Sequence, residues 1–246
     1  MIRFKDFKIK LNLFYLFFFL LNTQVNTKPI LFQIDQVNYI YHGSAQNQNL
    51  LERFHFNFLN TFTHITENLG GRKNFPIHVH IYTSPKDFED NTKLPSISSG
   101  LFDPETNAFY FLLTAKTIRT DRLINIISHE SCHASIHSTL PYENKIDRVL
   151  EEGFCSYEYP TETIMIQENW YCTLSFDKFL EIGNSKLQKS IKKEKTLVYR
   201  AATSFIRSIR KTISSIQVIE LLQNNNLTIL NQYWTEFKNE CKNRNK

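Results

Sequence analysis

The sequence predicts an α+β fold, with strands in the first half of the chain and helices in the second. Residues 76–82 (PIHVHIY) alternate Ile77, Val79 and Ile81 against His78, His80 and Tyr82, the two-residue period of a half-buried strand. Residues 99–113 (SGLFDPETNAFYFLL) set two apolar runs around Asp103-Pro104 and Thr106-Asn107, which reads as a hairpin with its turn. Beyond Pro160 the apolar residues follow helical spacing and strand signals cease. Strands grouped before helices indicate α+β, not an alternating α/β chain. No 20–50-residue period is visible, which excludes a solenoid.

The elements follow in order. Residues 29–41 (PILFQIDQVNYIY) are rich in β-branched and aromatic side chains and read as a strand. Residues 46–68 carry apolar side chains at 50, 51, 54, 56, 58, 59, 62 and 65, a helical rhythm stopped by Gly70-Gly71. After the strand at 76–82, Ser84 caps a short helix to Asp90, and a loop runs through Pro95. A helix over 119–140 starts at Thr120, buries Leu123, Ile124, Ile126 and Ile127, and closes before Pro141. A second helix covers about 146–158. The helical remainder breaks near Gly183–Ser185 and Asn224–Asn226, and the charge run at 192–195 (KKEK) reads as a solvated face. No Pro/Gly/Ser linker divides the chain, so residues 28–246 read as one domain.

Composition limits function. Apolar residues make up 41% of the 246, enough to fill a core, and this excludes wholesale disorder. Of the net charge of +5, residues 1–27 supply +3 through Arg3, Lys5, Lys8 and Lys10 against Asp6. The remaining +2 argues against a nucleic-acid surface. Residues 11–21 (LNLFYLFFFLL) follow that basic segment. They span about 16 Å as a helix, roughly half a bilayer core. This is the pattern of a signal peptide; because residues 22–28 (NTQVNTK) lack a small-residue cleavage site, an uncleaved N-terminal anchor is the alternative. The expectation is an exported protein, periplasmic, extracellular or anchored facing outward, touching membrane only through that segment. Export makes Cys132, Cys155, Cys172 and Cys241 candidates for disulfides, with three pairings open. Asn226-Leu227-Thr228 is a glycosylation sequon in a eukaryotic secretory route.

The chemistry lies in residues 129–133 (HESCH), an HExxH motif inside a predicted helix. Residues four apart on a helix differ by about 40° and 6 Å, so His129 and His133 point to one side and can bind a single zinc ion. Glu130 can then reach a water held by the zinc and take its proton. Chance produces such a match in about 2% of chains with this composition. The third ligand therefore decides. A metzincin would continue with glycine and histidine where this chain has Ile136 and Thr139, which excludes that class. His137 lies two turns from His129 and suits a supporting or surface role. His78 and His80 share a strand face, where exposed histidines are far commoner than ligands. Downstream, residues 149–157 (VLEEGFCSY) offer Glu151 and Glu152, of which one can face the metal because one helical step turns about 100°.

The pairing of HESCH with LEEGFCSY resembles the gluzincin zinc metallopeptidases, in particular small exported proteins of the peptidase MA-like type. In the larger aminopeptidase-N relatives the second motif usually reads NEGFA. IHVHIYTSPKDFED with SSGLFDPETNAFYF is similar to the segment before HExxH in the small proteins, and LVYRAATSFIRSIR to their tyrosine-bearing helix. The resemblance covers about residues 30–225. It implies a small zincin-like domain, a mixed sheet packed on the HExxH helix and an all-helical C-terminal part. It also implies zinc on His129, His133 and Glu152, Glu130 as general base, and a peptide or protein substrate. Tyr199 is the candidate for stabilising the oxyanion, with Tyr157, Tyr159 and Arg200 as rivals.

The chain also departs from the pattern. No GAMEN-like segment precedes HExxH, so aminopeptidase specificity has no support. No histidine follows His137 to act on the oxyanion, and Ser156 stands where thermolysin-type enzymes carry an Asp, leaving the partner of His129 unassigned. Cys132 and Cys155 occupy positions where the family usually has small residues, on the two ligand-bearing helices. Their matched placement suggests a disulfide between them. Substrate backbone is expected to pair with residues 108–113 as an exposed sheet edge, Phe109-Tyr110-Phe111 lining one wall. The alternative from another functional class is a catalytically silent, zinc-stabilised exported binding protein.

Overall fold

The computed structural model describes residues 29–43, 48–72, 77–94, 98–115, 117–118, 120–139, 146–161, 170–188 and 192–244. The N-terminal segment 1–27, Pro95 and Pro141 lie outside them. The expected strand at 29–41 is two strands, β1 (Ile30–Ile34) and β2 (Val37–His42), reversed at Asp35, whose φ is 53°. Aspartate tolerates that left-handed backbone, so the turn needs no glycine and leaves little trace in the sequence. After α1 (Gln48–Asn68), β3 (Ile77–Tyr82) lies parallel to β2. The short α2 (Pro85–Thr92) has Ser84 as its N-cap, accepting from the Asp87 N–H.

β4 (Gly100–Asp103) and β5 (Ala108–Leu112) form the hairpin. The sheet order is β1-β2-β3-β5-β4, so the expected edge at 108–113 is an interior strand and β4 is the edge. The physical reason is composition. β5 is buried on both faces except at Tyr110, and a near-continuous apolar strand belongs between two neighbours. Phe109 and Phe111 line no wall. They are 1% and 0% exposed and meet Phe58 of α1 edge-on.

α3 (Thr120–Ser138) runs between two apolar cores. Leu123, Ile126 and Ile127 join the sheet and Phe54, Phe58 and Phe62 of α1, while Cys132 and Ile136 join the helical core. That core comprises α4 (Arg148–Glu158), α5 (Phe176–Gln188), α6 (Lys192–Ile209), α7 (Ser215–Gln223) and α8 (Leu227–Arg244), with a 3-10 turn at Trp170–Thr173. The fold is thus α+β, a mixed sheet followed by helices. Trp234 of α8 is 1% exposed among Phe176, Phe179, Phe205 and Phe237. Disulfides join Cys132 to Cys155, α3 to α4, and Cys172 to Cys241, the 3-10 turn to α8. The first links the two helices that carry the ligand candidates. Asn226, first residue of the sequon, caps α8 by accepting the Ile229 N–H. Among the described residues no helix is long and apolar enough to cross a membrane.

The break expected near Gly183–Ser185 is absent, because α5 passes straight through it. A β-carbon on Gly183 would stand 2.6 Å from Val149 Cγ2 and 3.4 Å from Val198 Cγ1, so the glycine marks close helix packing. Four residues beyond Val149 on α4, a β-carbon on Gly153 would lie 2.6 Å from Ala202 Cβ and 2.8 Å from its carbonyl carbon. Val149 and Gly153 thus face Val198 and Ala202 in the same direction, so α4 and α6 run parallel and almost touching. In an open helix Gly153→Ala would gain about 1 kcal/mol of helix propensity. Here the overlap with backbone outweighs that gain, and the substitution is expected to destabilise by about 1–3 kcal/mol in urea unfolding.

Candidate metal centre

α3 and α4 bring the expected ligands together. His129 and His133 are one turn apart, their Nε2 atoms 3.3 Å from each other. Glu152 Oε2 lies 3.6 Å from both nitrogens, and these three residues form a group able to hold a metal ion. Three donors bound tetrahedrally at about 2.0–2.1 Å would stand about 3.3–3.5 Å apart, so the triangle has the size a zinc-like ion requires.

Hydrogen bonds at the far side of each ring decide what the ring offers the centre. His129 Nδ1 lies 3.3 Å from the Tyr159 carbonyl oxygen, an acceptor, so Nδ1 carries the proton. His133 Nδ1 donates to Glu151 Oε1 at 2.6 Å. Without a proton on either Nε2, both lone pairs would point at each other and at a carboxylate oxygen. Three electron-rich atoms in a buried space need positive charge among them. Burial opposes a proton on His133, but Glu151 and Glu152 overcome burial and hold its pKa well above the usual histidine value. A divalent ion would satisfy the same demand with all three donors at once.

Glu151, the rival third ligand, turns away from the centre. It also accepts from His137 Nε2 at 3.1 Å, so it braces His133 on one side and His137 on the other. Burial alone would raise its pKa, but the two histidines, His133 above all, outweigh burial and bring it down to about 2. Burial likewise opposes ionisation of Glu152, and His133 with His129 carries it well below the usual carboxylate range. The outer oxygen, Oε1, stands 3.9 Å from Arg148 Nε.

Glu130 is 7% exposed and belongs to the sheet side. Its Oε2 accepts the Phe102 N–H at 2.8 Å, and its Oε1 would lie 2.9 Å from a β-carbon on Gly100. A glycine at that point of β4 leaves room for the carboxylate. Burial raises the Glu130 pKa, with His129 and His133 pulling the other way. Tyr199 approaches from α6, and burial followed by Glu152 raises its pKa, keeping the phenol protonated. The rival tyrosines, Tyr157 and Tyr159, pack against the helical core, as Tyr199 does, but the charge that acts on Tyr159 is Glu158 and not Glu152. Among the described residues nothing ties the Arg200 side chain to the centre.

The strand histidines are elsewhere. His80 stacks on Tyr110 at 4.5 Å between ring centres and shares a hydrogen bond with His42, Nδ1 to Nε2, at 3.4 Å. Burial, then His42 and His78, lowers the His80 pKa to about 4. Sequence reasoning missed Glu151 as the brace of His133, and the Tyr159 carbonyl and Phe102 N–H as orienting groups. Backbone groups have no residue-type signature; an acid beside a ligand carboxylate was the one signal in the sequence for Glu151. No protein-family model and no curated protein matches the chain.

Losing the charge behind a metal-binding histidine typically costs 10- to 100-fold in affinity. Glu151→Gln is therefore expected to weaken metal binding by that factor, measured by competition with a chromophoric chelator.

Proposed function

We propose that this protein is a zinc-dependent peptide hydrolase of the gluzincin kind, with His129, His133 and Glu152 as ligands. The observation that carries this reading is the convergence of two tautomer-fixed Nε2 atoms and one carboxylate oxygen at zinc-compatible spacing. Two imidazoles with one carboxylate is a donor set suited to zinc and typical of catalytic sites that keep a fourth position open. A zinc ion held there supplies a Lewis acid for the scissile carbonyl and acidifies water towards neutral pH.

The remaining work falls to side chains of this protein. Glu130, held at the edge strand by the Phe102 N–H, is the general base that takes the proton of the attacking water and returns it to the leaving amine. Its burial raises its proton affinity in the direction a base needs. Tyr199 keeps its phenolic proton and is the donor to the oxygen on which negative charge develops. Glu151 holds His133 in the metal-binding tautomer, and the Tyr159 carbonyl does the same for His129. The two disulfides are compatible with export, where the N-terminal pattern would send the chain.

Purified protein is expected to contain one zinc per chain by elemental analysis and to lose peptide cleavage on chelation. Glu130→Gln should keep the zinc and lower cleavage by about 10²–10⁴-fold. Zinc uptake without cleavage of a broad peptide library would instead mark a catalytically silent binding protein. Full activity in Glu130→Gln would remove Glu130 as the base.

A further inference from the structure

The charge run at residues 192–195 is not wholly the solvated face that its composition suggests. Lys193 is exposed, but Lys195 is half-buried. On the parallel pair α4 and α6, Arg148 and Glu152 are one turn apart on the first helix, Lys195 and Tyr199 one turn apart on the second. Arg148 reaches the outer oxygen of Glu152 at 3.9 Å while 53% of its side chain is exposed. Lys195 feels Arg148 and Glu152 together: burial and Arg148 lower its pKa, and Glu152 opposes them. Tyr199 meets the same two groups from beside Lys195. The register of the two close-packed parallel helices therefore sets Arg148 and Lys195 one turn before Glu152 and Tyr199, at the margin of the metal centre.

Among the described residues, the carboxylate that both cations meet is Glu152, and it is already engaged. Glu152 turns Oε2 towards both histidines, and an ion bound there would engage its one negative charge. Among the described residues Arg148 makes its ion pair with Glu152, and Lys195 makes none. A guanidinium and an ammonium beside a half-open position are a recognition pair for a carboxylate. One helical turn is about 5.4 Å and an extended residue spans about 3.3–3.6 Å, so the pair lies within about two substrate residues of the metal.

We propose that Arg148 and Lys195 form a carboxylate-binding subsite that selects negatively charged peptides, through either a free C-terminal carboxylate or an acidic side chain. The subsite takes its position relative to a scissile bond from the hydrolase reading, so the test measures binding and not turnover. Three fluorescent pentapeptides are titrated into the zinc-loaded, full-chain Glu130→Gln protein. One is a free acid, one its C-terminal amide, and one an amide carrying a single glutamate at scanned positions. At least one charged peptide is expected to bind tenfold or more tightly than the neutral amide, with the preference shrinking as salt rises.

Arg148→Gln and Lys195→Gln should each abolish the preference at an unchanged melting temperature, and Arg148→Lys should restore part of it. Preference for the free acid identifies the C-terminus as the ligand; preference for the glutamate peptide identifies a side chain. Equal binding of all three, binding of none, or a preference that survives both glutamine variants overturns the subsite. The two readings fail separately. Wild-type protein that holds zinc and prefers charged peptides but never cleaves them keeps the subsite and loses the hydrolase. Wild-type protein that cleaves neutral amides as fast as free acids and glutamate peptides does the reverse.

Discussion

The centre depends on one electrostatic constraint: three electron-rich atoms, on side chains only 11–13% exposed, are pressed to within 3.6 Å of one another. The rings cannot relieve it by exchanging tautomers, because their outer nitrogens are committed as donors to Glu151 and to a backbone carbonyl. The compensation has to be a proton or a cation at the centre. The helix pair that creates the problem is also hard to separate. Cys132 is bonded to Cys155 across it, and on the far side of α4 the bare Gly153 lets α6 close against the backbone. The enforced proximity is what makes a cation site from residues that would repel if left free.

The two halves of the fold supply different parts. Helices bring the histidines and Glu152; the sheet brings the group that holds Glu130, through the Phe102 N–H on edge strand β4. α3 can belong to both halves because it is apolar on two sides, Ile126 and Ile127 against the sheet and Ile136 among the helices. Buried on both sides, it cannot tilt to relax the crowding of its imidazoles.

Side-chain chemistry was more legible in the sequence than backbone geometry. The HExxH spacing located His129 and His133 because i and i+4 share a helix face whatever surrounds them. Glu152 was separable from Glu151 only through the resemblance, in the Gly153 that follows it and the 18 residues between it and His133. The structure gives each acid a distinct place, one at the centre and one behind His133. The strand at 29–41 hid a turn because Asp35 adopts a positive φ without glycine. The edge was placed on the wrong strand because local pattern says nothing about which neighbour a strand gains from elsewhere in the chain. Gly183 looked like a helix break for a related reason, since a glycine that ends a helix and one that admits a neighbouring helix read alike. Lys195 was hidden by its charged neighbours, its half-buried setting being a property of the α4–α6 contact.

The bond between Cys132 and Cys155 also bears on the order of maturation. Cys132 is adjacent to His133 in the chain, and both sulfurs are 0% exposed beside the ligand helices. Before oxidation the same neighbourhood offers two thiols, softer donors than a carboxylate and better suited to capturing zinc in a wrong set. Forming the cross-link retires those competitors. On the proposed zinc reading, oxidative folding would act as a proofreading step, leaving His129, His133 and Glu152 as the donors that meet the ion.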